Sequence, residues 1–566
     1  MWTPSEAQQP GGLTPIPTGG QPISGIPTPF SHWPQNVTPD AVIVLSGQTM
    51  GYLRPCGCSE HQLGGLERRN NLIQSLKKKN WPVVAVDLGD VPASTGLHDQ
   101  IMLKYKTAMQ AMKQMGYIAV GIGLEEFRQD LDDVIGNYSL QPGNEKPRLL
   151  AANLKRTSAK DLATSFPTAP NSPLIVDAVV TEKVSDSVSV AVVGSIESTD
   201  AEKANLATVT KQFELLDNAT QIGTALKKAA ADPLKPEVRV LLFQGSLDAS
   251  RKAAEAFPQF QIILCKSDQA LPPQQPVMVN NGKTSIIQVG LKGQYVGVAG
   301  VFKQPDGSFK IEYQLIELNE QYLTPKDPAI EANDPILKLL QQYSADVKVA
   351  NFLKDAAQKK TPHNAQILFK GPGAKPTYVG SEACKMCHPK EFSIWADSKH
   401  SHALNALEDP KIAFRPTGRN FDPECVTCHV VGFEFDSGFE SKEKTPKLQH
   451  VGCENCHGPG SAHMAAPTNK QLLALMSPWK TKPTDLLPKK ELMEEIGKKE
   501  PLNRSSLEAK FTINEQITVK NVTKMCMSCH NDENDPKFDL YKYMPKITHT
   551  GFKPGGGGGL PPGFGK

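Results

Sequence analysis

Cys384-Lys-Met-Cys387-His388, Cys425-Val-Thr-Cys428-His429, Cys453-Glu-Asn-Cys456-His457 and Cys526-Met-Ser-Cys529-His530 share one spacing: two thiols separated by two residues, with an imidazole directly after the second. Of the 11 cysteines, these four motifs take eight, and only Cys56, Cys58 and Cys265 lie elsewhere. Such clustering is neither a dispersed disulfide framework nor a scatter of buried thiols. Two thiols at this spacing can reach the two vinyl groups on one edge of a porphyrin and form thioethers. The adjacent His then lies beneath the ring, where it can coordinate iron. Zinc is the competing chemistry, but tetrahedral thiolate sites do not require a His after every second Cys. Redox C-x-x-C motifs usually occur singly beside a β-α unit, which this region lacks. Four c-type haems are therefore expected. Cys384, Cys387, Cys425, Cys428, Cys453, Cys456, Cys526 and Cys529 would form the thioethers, with His388, His429, His457 and His530 as proximal iron ligands.

The second axial ligand decides what each iron does, because two imidazoles close it and an open position invites a small molecule. Five further His residues lie in this region: His400, His402, His450, His463 and His549. A helix is predicted over Pro389 to Ala406, and a two-residue spacing cannot put His400 and His402 on one helical face. At most one of them is expected to face a haem. His463 follows His457 too closely to bend over the same ring, so a neighbouring haem is its expected target. His400, His463 and His549 are the expected distal ligands, with His402 and His450 as secondary candidates.

Outward from the motifs the character changes. From Ala41 to about Leu318, short apolar runs alternate with helical patterns. The runs are Ala41 to Leu45, Val83 to Val86, Ile118 to Val120, Val188 to Val193, Val238 to Phe243 and Gln261 to Leu264. They are rich in Val and Ile and bounded by Gly, Asp or Pro, as buried strands are. Between them, Asp99 to Met115 carries Met102, Tyr105, Met109 and Met112 on one face, and Gly116 can close its C-terminus. A Met stripe of this kind is core rather than a ligand set. An antiparallel pair is predicted from Tyr295 to Phe302 and Phe309 to Leu318, around a turn at Asp306-Gly307. A helix over Pro335 to Ala356 and a connector over Thr361 to Lys375 follow.

The expected organisation is multidomain. A Pro/Gly-rich segment at 1–40, too poor in apolar surface to order itself, precedes a layered α/β domain at 41–320. A helix and linker at 321–375 lead to a mostly helical multihaem domain at 376–551 with little regular sheet, and a Gly-rich tail covers 552–566. At 566 residues the chain exceeds a single core. Its net charge of +3 argues against nucleic acid as a partner. Pairs such as Lys489-Lys490 and Lys498-Lys499 are read as solvated helix faces. No stretch approaches the roughly 20 apolar residues of a membrane span. Haem attachment after export predicts a periplasmic or otherwise extracytoplasmic location, although Met1 to Asp40 shows neither basic nor apolar signal-peptide regions.

The segment Cys384 to Leu407 with Trp395 and His400, then Glu424-Cys-Val-Thr-Cys-His-Val-Val-Gly-Phe433, then Val451-Gly-Cys-Glu-Asn-Cys-His-Gly-Pro-Gly460, resembles the tetrahaem cytochrome c-554 family. The resemblance covers roughly Tyr378 to Gly551. It implies a helical haem-wrapping domain with closely stacked haem pairs, three irons with two His ligands and one that can be five-coordinate. It implies distal positions at His400, His463 and His549, each serving a haem other than its nearest neighbour. His429 would be the sole protein ligand of the open haem. His450 departs from the family's pattern and could close that haem. The family's members accept electrons from hydroxylamine oxidoreductase, a partner that does not carry over from haem motifs alone.

The first half resembles calcineurin-like metallophosphatases of the 5′-nucleotidase type, through Val42-Ile-Val-Leu-Ser-Gly-Gln-Thr-Met-Gly51, Leu63-Gly-Gly-Leu-Glu-Arg-Arg69, Asp87-Leu-Gly-Asp90 and Gly123-Leu-Glu-Glu-Phe127. The departures fall on the chemistry. Gln48 and Met50 replace a D-x-H pair, and Leu124 and Glu125 replace Asn-His. Gln244, Lys266 and Asp268 stand at the later ligand positions, leaving Asp90 alone. One carboxylate cannot hold the two cations such a hydrolase needs. The fold is expected to persist without phosphoester hydrolysis and without a non-haem metal. Cys56 and Cys58, near His61, stay open between a non-haem site with Asp90, redox chemistry and a plain disulfide or thiol pair. Cys265 is expected to be a core thiol.

The expected function is electron relay between redox partner proteins, with the first domain as a docking scaffold and no catalytic residues. Two rivals remain: a haem enzyme acting on a small nitrogen or sulfur species at one open iron, and a phosphohydrolase with a haem appendage.

Overall fold

The computed structural model describes residues 29–57, 59–156, 176–197, 213–408 and 418–549. Most of the Pro/Gly-rich start, the Gly-rich end and Cys58 lie outside them.

Alternating Val and Ile residues decide the architecture of the first half. In Ala41–Ser46 every residue is buried, because successive side chains point to opposite faces and both faces are covered. Val42 and Val44 pack with Leu72, Leu76, Tyr105, Met109, Met112 and Leu340 of a helical layer. Ile43 and Leu45 pack with Val190, Val192, Val240 and Leu242 of a second sheet. The outer face of that sheet, with Val193, Leu241 and Ile263, is covered by Ile222, Ala225 and Ala254. The result is four layers, helix–sheet–sheet–helix.

The first sheet runs, in spatial order, Phe309–Glu317, Tyr295–Lys303, Ala41–Ser46, Val83–Asp87, Tyr117–Gly121, Arg148–Leu150 and Val176–Asp177. The second runs Val277–Val279, Thr284–Ile287, Ile262–Cys265, Val238–Gln244, Ser189–Ile196 and Val179–Lys183. All six apolar runs read from the sequence are strands, and the Tyr295–Lys303 hairpin pairs antiparallel with Phe309–Glu317. Within the first sheet, Ala41–Ser46 is parallel to Val83–Asp87 and antiparallel to Tyr295–Lys303.

The His98–Met115 helix ends where Gly116 adopts φ +87° and its N–H returns to the Lys113 and Met112 carbonyls. Tyr105, Met109 and Met112 are fully buried, so the Met stripe is core. Cys265 is likewise buried. The predicted Pro335–Ala356 helix is instead two, Pro335–Ala350 and Phe352–Gln358, split by Asn351 at φ +56°. Asn tolerates this left-handed conformation better than most residues, so the chain turns there without a glycine.

Beyond residue 358 regular strands cease among the described residues, and only isolated bridges join Thr361 to Phe435 and Val430 to Gln449. Short helices take their place, including Pro389–Ala396, Cys453–His457, Ile513–Cys526 and Leu540–Ile547. The single helix predicted over Pro389 to Ala406 is also divided. An α-helix ends at Ala396 and a separate 3-10 helix, Lys399–Leu407, follows. The apolar core here is small, with Leu404, Val426, Val430, Val431, Phe433 and Phe439 at its centre. No helix among the described residues is long and apolar enough to cross a membrane.

Candidate functional site

Each Cys pair begins on or beside a helical turn, which brings its two thiols to one side. Asp422 caps Pro423–Val426 by accepting from Glu424 N at 3.1 Å, and so sets the turn that carries Cys425. Gly452 precedes Cys453–His457, and Asn455 Oδ1 returns to the Gly452 N–H at 2.8 Å. The long Ile513–Cys526 helix, capped by Thr512 and Glu515, delivers the fourth pair.

The imidazoles stand in pairs. The ring centroids of His388 and His463 are 6.4 Å apart at 30°. Those of His457 and His549 are 5.9 Å apart at 17°. His400 and His530 are 6.1 Å apart at 52°. A metal ion sits about 2 Å from a ligating imidazole nitrogen, and that nitrogen lies about 1 Å from its ring centre, so two rings sharing one metal have centres about 6 Å apart. All three pairs meet this separation, and each joins one motif His to one His from outside the motifs. No second ring stands opposite His429 among the described residues. His402 instead faces His450, at 6.3 Å and 67°, while His450 Nδ1 accepts from Leu404 N at 3.2 Å.

The remaining ring nitrogens are held as metal-binding imidazoles require. His429 Nδ1 meets the Ala403 carbonyl at 2.5 Å, His457 Nδ1 meets that of Met476 at 2.7 Å, and His530 Nδ1 meets Asp535 Oδ2 at 2.8 Å. Each contact leaves Nε2 free to ligate. His463 Nδ1 is buried and unpartnered, a costly state for a ring nitrogen that holds nothing. Burial pulls His457 down to about 4 and lowers His400, His429 and His463 as well. These rings are therefore neutral at pH 7, the form that binds iron. This donor set fits c-type haem.

The motifs also approach one another. Cys384 lies near Cys453, and Cys428 near Cys529, close enough for each thiol to feel the other. Cys456 is close enough to Cys526 and Cys529 to feel their charge. The first motif thus adjoins the third, the third the fourth, and the fourth the second.

Residues 383–458 match the family model of cytochrome c554 and c-prime. The matched segment holds the first three motifs, and through it the C-terminal region is similar to c-type cytochromes, proteins that carry haem iron. Across 95 residues the chain is 34% identical to cytochrome c-554 of Nitrosomonas europaea. The match covers 15% of this chain and 40% of that relative, so the chain spans about two fifths of the relative's length. The chain is also similar to solved structures. These include the Thermus thermophilus sulfate thiohydrolase SoxB (TM-score 0.42, 14% identity, 56% of this chain and 62% of that one). A 5′-nucleotidase precursor from Thermus thermophilus gives a TM-score of 0.42 at 17% identity, covering 58% and 61%. A putative 5′-nucleotidase from Staphylococcus aureus gives 0.41 at 14%, covering 67% and 71%.

Outside the cytochrome c554-like segment, Asp90 occupies a polar pocket filled by its neighbours. Its Oδ1 accepts from Glu125 N at 3.0 Å. Glu126 accepts from Gly123 N at 2.9 Å, Asp90 N at 3.1 Å and Val91 N at 2.9 Å. Gln48 is tied to both backbone atoms of Ser267, and Gln244 donates to the Leu88 carbonyl at 3.0 Å. Burial, and then the adjacent Asp90, push Glu126 up to about 8. Two amides, with two carboxylates already taken up by backbone N–H groups, do not fit a pair of divalent cations.

Cys56 lies in the segment that precedes the Leu66–Lys77 helix. Its sulfur is disulfide-bonded and accepts from Gln62 Nε2 at 2.9 Å. The same amide reaches the Asn534 carbonyl at 2.8 Å, just past the fourth motif. Sequence reasoning missed this contact, because a Gln carries no pattern that announces a partner far along the chain.

Proposed function

We propose that this chain is an extracytoplasmic tetrahaem c-type cytochrome that relays single electrons between redox partner proteins. What carries the reading is the set of three imidazole pairs at 5.9–6.4 Å, each joining a motif His to a His from elsewhere. In it, His388 with His463, His457 with His549 and His530 with His400 hold one haem each, and His429 holds a fourth. Haem supplies reversible one-electron chemistry when bound.

The protein's own residues do the rest. The Ala403 and Met476 carbonyls and the Asp535 carboxylate fix the orientation of the motif rings. Burial of His457 and His429 keeps them neutral and keeps water away. The adjacency of the first and third, third and fourth, and fourth and second motifs gives electrons a continuous route.

The first domain acts here as a docking scaffold, without phosphoester hydrolysis. Gln48, Met50, Leu124, Gln244 and Lys266 carry neither carboxylate nor imidazole, and Asp90 and Glu126 are taken up by backbone N–H groups. Export before thioether attachment puts the protein outside the cytoplasm.

The test is a pyridine haemochrome count with electron paramagnetic resonance of the oxidised protein. Four haems and three low-spin signals are expected. Colourless or zinc-loaded material from a maturation-competent host would sink the proposal. The unpaired ring of His429 favours a second reading, a haem enzyme acting on a small nitrogen or sulfur species. A high-spin signal that shifts on adding nitrite or nitric oxide, with turnover, would select it.

A further inference from the structure

We propose that Arg54 and Arg419 form a binding site for a small inorganic oxyanion at the junction between the two domains, with Lys348 beside them. The site goes beyond the electron-relay reading and does not depend on it.

The two guanidinium groups come from opposite sides of the junction. Arg54 belongs to the first domain and donates through Nη2 to Ser344 Oγ at 3.1 Å. That hydroxyl donates in turn to the Leu340 carbonyl at 3.1 Å, so it positions Arg54 and has no proton left for a ligand. Arg419 opens the 3-10 turn Arg419–Phe421, just before the second motif. It donates to the Cys56 carbonyl and, at 3.3 Å, to the Pro55 carbonyl. These two residues follow Arg54 directly in the chain, so the two cations are held close together. Lys348 lies one turn past Ser344 on the same face of the Pro335–Ala350 helix. Its Nζ stands 4.7 Å from the centre of the Phe421 ring, at the end of the Arg419 turn.

The carboxylates of the junction are engaged elsewhere. Glu424 is paired with Lys104, and Glu533 with Lys292. Asp422 Oδ1 accepts from Gln100 and from Glu424 N, and its Oδ2 faces Tyr343 Oη at 3.5 Å. Among the described residues neither Arg54 nor Arg419 forms an ion pair. The acceptors they meet, one hydroxyl and two carbonyls, are all neutral.

Two like charges side by side and partly out of water are costly until an anion joins them. Burial, and then the adjacent Arg419, pull Arg54 down to about 9, and the nearby Asp422 offsets this only in part. Guanidinium N–H groups form a planar fork that oxygen anions accept from in pairs. An oxyanion has the several oxygens needed to meet two forks at once, which a halide lacks. Both arginines are half-buried, so solvent reaches them. An anion held by both would touch the two domains together. It would therefore bind only the assembled junction and stabilise the folded chain by mass action.

The test uses the full-length protein from a maturation-competent host. Calorimetric titration with sodium sulfate should show saturable binding of one sulfate per chain, and sodium chloride at matched ionic strength should show none. Sulfate should also raise the melting temperature above that in the matched chloride. Arg54→Gln and Arg419→Gln should each weaken sulfate binding about tenfold or more, the effect of losing a hydrogen bond between charged groups. If either variant fails to fold, the unaltered protein decides. Phenylglyoxal should modify Arg54 and Arg419, located by peptide mass mapping, and sulfate should protect both where chloride does not. Absence of saturable sulfate binding, binding undiminished in both variants, or sulfate protection of neither arginine would overturn the proposal. A haem count other than four would sink the tetrahaem reading and leave this result untouched.

Discussion

The side-chain amide of Gln100 donates to the Asp422 carboxylate at 2.9 Å, joining a helix of the first domain to the residue that caps the turn carrying Cys425. The same amide donates to Tyr343 Oη at 3.0 Å. One turn along the helix, Lys104 pairs with Glu424. Burial disfavours the Lys104 cation, but Glu424 and Asp422 outweigh it and raise its pKa above the ordinary lysine value. The second motif is therefore braced by the first domain, and the bracing predicts that the two domains unfold as a coupled unit.

This bracing predicts what its loss does. Gln100→Leu should cost about 1.5–3 kcal/mol, the value of a hydrogen bond to a charged acceptor. Lys104→Met should cost about 1–3 kcal/mol, less than a fully buried pair because Glu424 is 44% exposed and can regain water. Denaturation followed by tryptophan fluorescence and by haem absorbance should show both transitions shifting together. Two transitions that shift independently, or none that shift, would refute the coupling.

The axial assignments are separable by spin state. Replacing His400, His463 or His549 with Gly removes one imidazole from one pair. Each variant should convert one low-spin ferric signal to high spin and leave the other two pairs intact. His402→Leu and His450→Leu should leave all three low-spin signals in place, because those rings face each other. A His450→Leu protein that loses a low-spin signal would show that His450 closes the fourth iron after all.

Much of this was legible in the sequence, for definable reasons. Val42, Ile43, Val44 and Leu45 encode a strand covered on both faces, since the run is short, β-branched and apolar throughout. Met102, Tyr105, Met109 and Met112 encode a core face by helical spacing. The motif cysteines encode their own chemistry. What was not legible depends on pairs brought together by folding. The helix break after Ala396 has no Pro or Gly to announce it, yet it turns His400 toward His530 and His402 toward His450. The Ala403 and Met476 carbonyls that hold His429 and His457 belong to the backbone, so no side-chain pattern points to them. Arg419 on Cys56, and Gln62 on Asn534, are polar contacts across hundreds of residues with no periodicity behind them.

Asp535 sits five residues past His530 and accepts from its Nδ1 at 2.8 Å, whereas His429 and His457 have only carbonyl partners. A carboxylate gives the imidazole more anionic character than a carbonyl and stabilises the ferric state. Asp535→Asn should raise the reduction potential of one haem by on the order of tens of millivolts, with the haem count unchanged. Spectropotentiometry reads this directly, and an unshifted set of potentials would show that His530 is not an iron ligand.

Glu126 supplies a pH dependence that belongs to the first domain alone. Burial, and then the nearby Asp90, raise its pKa from 4.5 to about 8. The folded state therefore binds a proton more tightly than the unfolded chain does. Its contribution to stability is fully present below about 4.5 and is lost as pH rises through about 8, at no more than about 1.4 kcal/mol per pH unit. Glu126→Gln keeps an oxygen for the Gly123, Asp90 and Val91 N–H groups but cannot ionise. The variant should match the parent near pH 5, exceed it near pH 8, and show a flatter stability profile between them. Urea denaturation followed by tryptophan fluorescence at those two pH values measures the difference. A variant whose deficit is the same at both would mean that Glu126 is ionised throughout, with Asp90 carrying the proton instead.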